Sequence, residues 1–235
     1  MTKAIPLGSN KARYIQEMFA QIAPIYDRVN SWISWRRDGV WRRRAVEEVG
    51  ILKGKLVLDV GAGTGGLAAM AAGEAIRVVA VDLCRDMLLK GQAKFQNSKH
   101  NPTWVLGDGT ALPFNEGSFH CVMSSFVLRN VFPLQTFLGE VRRVLKPGGV
   151  VVFLELATPP HKGLASLHGL YLKWGVPLFS RWLGGSADAY HYLVSSIQAF
   201  PAAEHVKALM EQQGFRHVNY RHLDGGIVFL QKGYK

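Results

Sequence analysis

Leu58-Asp59-Val60-Gly61-Ala62-Gly63-Thr64-Gly65-Gly66 is the stretch that decides the fold. An apolar, β-branched run (56–60) breaks into a glycine-rich loop, and a helical run (65–73) follows at once. Glycines placed there let the backbone turn tightly and approach a ligand at the carboxyl edge of a sheet. Further along, β-rich runs at 78–82, 103–106, 121–126 and 150–156 alternate with helical runs at 86–95 and 134–145, the last stopped by Lys146-Pro147-Gly148-Gly149. Such alternation implies parallel strands joined by crossover helices, a doubly wound, Rossmann-like α/β fold. After residue 156 the rhythm breaks. Pro159-Pro160 opens a glycine- and aromatic-rich segment to Phe200, and a helix (202–213) and two strands (217–223, 226–231) close the chain. The chain reads as one domain over 1–235: a helical N-terminal cap (1–54), a cofactor-binding core (55–156), a lid insertion (157–200) and a C-terminal helix with a strand pair (201–235).

Gly61, Gly63 and Gly66 fit the glycine spacing of dinucleotide-binding loops, which alone leaves the ligand open. Asp59 discriminates. A carboxylate two residues before the first glycine repels a pyrophosphate but favours the ammonium and sulfonium charges of S-adenosylmethionine. Asp82 ends the second strand, where a carboxylate can accept hydrogen bonds from both ribose hydroxyls. Asp108-Gly109 ends the third: the acid can accept an adenine amino group, and the glycine leaves room for the ring.

The 235 residues carry 28 Lys+Arg against 17 Asp+Glu, a net charge of +11, which favours anionic partners such as nucleic acid, acidic substrates or an anionic membrane surface. Cys84 and Cys121 are the only cysteines, so no disulfide framework and no Cys-based zinc site is expected, and the histidines show no ligand spacing that would hold another metal. Lys3, Lys11, Arg13 and Glu17 interrupt any export signal, so a cytoplasmic protein is expected. The most apolar later stretch (164–183) contains His168, Lys173, Arg181 and Pro177; it can touch a membrane but not cross one.

Beyond the loop, the sequence resembles S-adenosylmethionine-dependent methyltransferases, and among them the C-methyltransferases of menaquinone and ubiquinone biosynthesis. The resemblance rests on Tyr26-Asp27-Arg28-Val29-Asn30 with Ser34 and Trp41, on Ala111-Leu112-Pro113-Phe114, on Ser125-Phe126-Val127-Leu128-Arg129-Asn130-Val131, and on Arg143-Val144-Leu145-Lys146-Pro147-Gly148-Gly149 with Glu155. It continues through Asp188-Ala189-Tyr190-His191-Tyr192-Leu193, Ser196-Ile197 and Leu223-Asp224-Gly225-Gly226-Ile227-Val228. Departures from the family pattern are Val29 for Met, Asp38 for His, Gly66 for an acidic residue and Ala157 for Ser. The resemblance implies a seven-stranded sheet with its last strand antiparallel, and cofactor contacts at Thr64, Asp82, Asp108, Gly109 and Ser125, beside the loop residues Asp59, Gly61 and Gly63.

The implied reaction moves a methyl group from sulfonium to a ring carbon of a prenylated quinol, most simply demethylmenaquinol, with a polyprenyl-benzoquinol as the alternative. It asks for alignment and for stabilisation of charge on the ring oxygens. Arg129 and Asn130, after the fourth strand, are the first candidates for orienting substrate. Tyr26, Asp27 and Asn30 in the N-terminal cap, and Asp188, Tyr190, His191 and Tyr192 in the lid, form a group from which a base or clamp would come. The stretch 36–44 interleaves five arginines with Trp41 and could rest on anionic lipid or serve a homodimer contact. An RNA methyltransferase, a basic binding module and an NAD-dependent oxidoreductase compete; the first lacks its Pro-Pro-aromatic clamp after strand four, and Asp59 opposes the last. No nucleic-acid partner is expected.

Overall fold

The computed structural model describes residues 9–73, 77–177 and 187–235; the part of the predicted lid at 178–186 lies outside the described residues. Seven strands form one sheet: β1 (Leu56–Val60), β2 (Arg77–Asp82), β3 (Thr103–Leu106), β4 (Phe119–Ser125), β5 (Leu145–Leu156), β6 (Arg216–Leu223) and β7 (Val228–Tyr234), in the order β3-β2-β1-β4-β5-β7-β6. The first five are parallel, and β7 runs antiparallel between β5 and β6. The expected fold class and the reversed last strand are both present.

The central strands β1, β2, β4 and β5 are largely apolar because the sheet is covered there on both faces, while the edge strand β6 is mostly polar and exposed. Leu58, Val81, Val122 and Phe153 point to one side, against α6 (Leu134–Val144) and α9 (Ala203–Gln212). Val57, Ala80, Met123 and Val152 point to the other, against α3 (Arg37–Val49) and α4 (Gly66–Ala72). In α6 the fully buried Phe137, Leu138, Val141 and Val144 recur at helical spacing, which fixes the face it lays on the sheet. Helix α5 (Arg85–Phe95) packs on β2 and β3, and the remaining helices are α1 (Ser9–Ile22), α2 (Tyr26–Ile33), α7 (Lys162–Leu170), which runs on through a π-turn (Tyr171–Gly175), and α8 (Ala187–Ala199). Val29, Leu172, Val176, Tyr190 and Ile197 pack together, joining cap to lid.

Two boundaries differ from the expected ones for definable reasons. Lys146-Pro147-Gly148-Gly149 does stop α6, but these residues already belong to β5, where the register against β4 shifts. Gly148 has φ +72°, and a Cβ on Gly149 would stand 2.8 Å from the Lys146 carbonyl, so the turn signal encodes a bulge inside a strand. The last strand begins at Val228 and not Gly226, because Gly225 and Gly226 take positive φ in a short turn, and it extends to Tyr234 through pairs with Val150, Val151 and Val152.

Candidate active site

The glycine loop that follows β1 is tied to the end of β2 by two amides: Gly61 and Ala62 both donate to the Val81 carbonyl, at 2.8 and 3.0 Å. Gly61 sits at φ +70°, and a Cβ there would lie 2.3 Å from the Val127 side chain. Gly61→Ala is therefore expected to combine left-handed strain with overpacking and to lower stability by about 2–4 kcal/mol, read from urea unfolding. Gly65, at φ +80°, is held instead by Trp104, whose ring would be 2.3 Å from an added Cβ; this glycine serves packing.

Asp82 accepts Gly63 N–H at 2.7 Å and Cys84 N–H at 2.8 Å, so the loop and the start of α5 share one carboxylate, and burial raises its pKa. Asp108 accepts both the amide and the hydroxyl of Thr110 on one oxygen, at 2.8 Å each. Together with Gly61, Gly63, Gly109 and Ser125, Asp82 and Asp108 line a narrow cavity of about 140 Å³, roofed by Ile15 and Phe19 of α1. Thr64 lies aside from it: its hydroxyl donates to Asp27 at 2.5 Å, and Lys94 holds that acid's other oxygen at 3.0 Å. These three bind α2 to the loop.

Asp59 is 1% exposed and lines no cavity. Neither of its oxygens meets a hydrogen-bond partner with ordinary geometry, the Ala68 amide offering only a weak one, and burial pushes its pKa up to about 7. Arg42 offsets part of this burial, and a sulfonium nucleoside with an α-ammonium would supply further positive charge. The loop, the two strand-end acids and the orphaned carboxylate all fit S-adenosylmethionine. Asp59 thus stands behind the loop rather than at the wall of these three cavities, where a direct contact was expected.

A second cavity, about 410 Å³, lies beside α1, α2, α7 and α8 and is lined mainly by apolar and aromatic side chains, among them Phe19, Val29, Tyr190 and Leu193, with Arg37, Asp38, Arg42, Arg129 and Asp224 among its polar members. Tyr26 lines this cavity, the 140 Å³ one and a third, wider cleft over the glycine loop, while Phe126 lines the first two. Tyr26, Phe126 and Phe19, which also lines both, thus stand between the two cavities. Burial raises the Tyr26 pKa, against the opposing pull of Arg42 and Arg129.

Phe126 carries φ +63°, an uncommon conformation for a residue with a side chain. Its carbonyl accepts Arg129 Nη1 at 2.8 Å and Asn130 Nδ2 at 3.2 Å. Asn130 also accepts the Tyr192 hydroxyl at 3.0 Å. Both residues expected to orient substrate are in fact engaged in shaping this turn. The Arg129 guanidinium, 7% exposed, pairs at 2.5 Å with Glu155, which is wholly buried and also accepts Arg129 N–H at 3.2 Å; Arg129 nevertheless lines the apolar cavity. Tyr190 and Tyr192 line it too, with phenols pushed up to about 12 by burial, so at neutral pH they donate protons and do not accept them. Asp188, expected beside them as base or clamp, is exposed in the first turn of α8 and lines no cavity, because the helix turns its Ala189 and Tyr190 inward instead.

Sequence reasoning passed over three residues. His168 is the one imidazole lining the apolar cavity among the described residues, and burial lowers its pKa, which keeps it neutral. Its signal was a lone polar ring in a helix of leucine and glycine. Glu155 was visible only as a motif letter. Arg42 was counted as surface charge, yet it is bound to Asp38 and lies 5.3 Å over the Phe126 ring.

The sheet order, the glycine loop and the acids at the ends of β2 and β3 define a class I methyltransferase architecture. A family model described as the ubiE/COQ5 methyltransferase family matches residues 7–235, and the chain belongs to that family. It is 38% identical over 218 residues to a demethylmenaquinone methyltransferase of Beutenbergia cavernae, covering 93% of this chain and 89% of that protein. It is 36% identical over 234 residues to the protein of the same name from Staphylococcus aureus strain JH9, covering 97% of each. Among solved structures, a Thermotoga maritima SAM-dependent methyltransferase, possibly a histamine N-methyltransferase, superposes with a TM-score of 0.67 at 17% identity over 93% of this chain and 99% of that one.

Proposed function

We propose that this enzyme transfers the methyl group of S-adenosylmethionine to a ring carbon of a prenylated quinol, demethylmenaquinol, as the final step toward menaquinol. One observation carries the reading: an apolar cavity large enough for a quinone ring and the first part of an isoprenoid tail adjoins the glycine-loop cavity through Tyr26 and Phe126. The names of the two relatives support the same substrate.

Asp82 would hold the ribose, Asp108 and Gly109 the adenine, and Asp59 the charge of the cofactor; bound there, S-adenosylmethionine supplies an electrophilic methyl. The protein's own share is placement and charge. Tyr26 sets the plane where the two ligands meet. Arg129, held by Glu155, which offsets its charge, lies at the cavity wall, where its guanidinium would favour the quinolate over the quinol and so raise electron density on the ring. The protonated Tyr190 offers a donor to a ring oxygen, while Tyr192 gives its one O–H to Asn130 and serves as cavity wall. Catalysis takes place at the cytoplasmic surface of a bilayer that the protein touches; no described helix is long and apolar enough to cross one.

The test is mass spectrometry of demethylmenaquinol, kept reduced in detergent, after incubation with enzyme and S-adenosylmethionine, beside the matching benzoquinol. Gain of one methyl on the naphthoquinol alone is expected. Gain on the benzoquinol alone would move the enzyme to ubiquinone biosynthesis, and gain on neither would overturn the substrate class.

A further inference from the structure

We propose that the outer face of α7, with the tryptophans at the junction of α2 and α3, is the surface by which this protein docks on an anionic lipid bilayer. The proposal rests on the quinol reading above and gives it a surface. Leu164, Leu167 and Leu170 recur every third residue along α7 and are 44%, 66% and 57% exposed; Trp174 in the following π-turn is 65% exposed. The buried side of the same segment is left to His168 and Leu172. Helices normally turn leucines inward, so an outward row is a contact surface. Trp32 and Trp35, 51% and 70% exposed, stand beside it, since the Tyr171 hydroxyl donates to the Ile33 carbonyl at 2.8 Å and Trp35 lines the same cavity as Leu164 and Leu167.

Charge identifies the partner. Residues 157–177 carry Lys162 and Lys173 and no Asp or Glu; residues 28–37 carry three arginines and again no acid. Asp224, the acid beside Leu164, is paired with Arg37, so among the described residues the unpaired charge around the ridge, from Arg28, Arg36, Lys162 and Lys173, is positive, as the boundary between acyl chains and anionic headgroups requires. Lys173 lies 5.5 Å over the Trp174 ring, an arrangement that places an ammonium at headgroup level while the indole enters the interface. Continuity with the cavity gives the surface its use: Trp35, Leu164 and Leu167 are at once exposed and cavity-lining, so a bilayer under this ridge meets the mouth through which a prenyl tail would enter.

This relocates the contact expected of 36–44. In that stretch Arg37 pairs with Asp224, Arg42 with Asp38 and Arg44 with Glu47. The apolar side of α3, with Trp41, Ala45, Val46 and Val49, is buried in the core. Helix α3 can add charge from Arg36 and Arg43 but has no apolar face to insert.

The experiment is co-sedimentation of the full chain with phosphatidylcholine–phosphatidylglycerol vesicles, against phosphatidylcholine alone, for the wild type and for Leu170→Ser/Trp174→Ser, whose side chains line no cavity. Binding to the anionic vesicles that weakens with salt, and falls at least ~10-fold in the variant, is expected. The variant should keep its S-adenosylmethionine affinity and its rate on a short-tailed, water-soluble quinol, while its rate on a long-tailed quinol in vesicles falls with binding. Equal vesicle binding by both proteins, or none by the wild type, overturns the docking surface. So does a concentration-dependent dimer, seen in analytical ultracentrifugation, that the variant abolishes. Failure of the wild type on every quinol in detergent would instead overturn the substrate reading and leave the vesicle result standing.

Discussion

Glu155→Leu is expected to lower stability by about 3–5 kcal/mol, a fall in Tm on the order of 10 °C, because it strands a buried guanidinium. Glu155 is wholly buried at the end of β5 and takes hydrogen bonds from Arg129 Nη1, Arg129 N–H and Leu156 N–H. Removing it leaves Arg129 with the Phe126 carbonyl as its remaining fixed acceptor and with Nε already unpartnered. Arg129→Met alone should cost less, since a lone buried carboxyl can take up a proton. The double substitution should recover most of the loss, as two apolar side chains fill a site that needs no charge. Methylation separates structure from chemistry. If Arg129 stabilises the quinolate, the double variant folds, binds S-adenosylmethionine and remains slower by ~100-fold or more in kcat. Recovery of kcat along with Tm would reduce the pair to a structural tie between β5 and the turn after β4.

That pair marks how far sequence reading reached. The parallel core was legible because its signals are local: β-branched runs, helical periodicity, and glycines at strand ends. Asp82, Asp108, Gly61 and Gly63 were legible for the same reason, each being tied to the end of one strand. Arg129 was found, but its engagement by Glu155 was not, because the partners lie 26 residues apart, one in the turn after β4 and one at the end of β5, and meet only when those strands pair. Asp188 was misplaced by an equally local reading: motif membership cannot say which side of a helix a residue occupies. The neutralisation of Arg37 in the basic stretch was out of reach for the same reason, since Asp224 comes from the far end of the chain.

Two departures from the family pattern meet at one side chain. Asp38 holds Arg42 in an ion pair within α3, and a Cβ on Gly66 would come within 3.4 Å of Arg42 Nε. An acidic residue at position 66 would compete for the guanidinium that here stacks on Phe126. Substituting 38 and 66 together therefore preserves a cation beside the partition between the cavities, a coupling that neither position reveals alone.

Asp59→Asn is expected to stabilise the cofactor-free protein at neutral pH and to damage cofactor binding. Burial lifts the Asp59 pKa from 3.8 to about 7. The folded state therefore holds a proton that the unfolded chain releases, and stability contributed by this group is full below pH ~4 and declines as pH rises to ~7. At ~1.4 kcal/mol per pH unit, the loss at neutral pH is of the order of a few kcal/mol. An amide of the same shape avoids it, so the variant should show a higher Tm at pH 8 and a flatter Tm between pH 5 and 8. Binding runs in the opposite sense. A cationic cofactor favours the ionised acid, so wild-type affinity should weaken by up to tenfold for each unit below pH ~7, with a proton released on binding. Calorimetry in buffers of differing ionisation enthalpy reads that proton directly. The Asn variant should bind at least ~10-fold more weakly at pH 8, with no proton released and no pH slope. A variant that binds as tightly as the wild type would separate Asp59 from the cofactor and leave it a buried structural acid, while a higher Tm with weakened binding would identify it as stability given up for function.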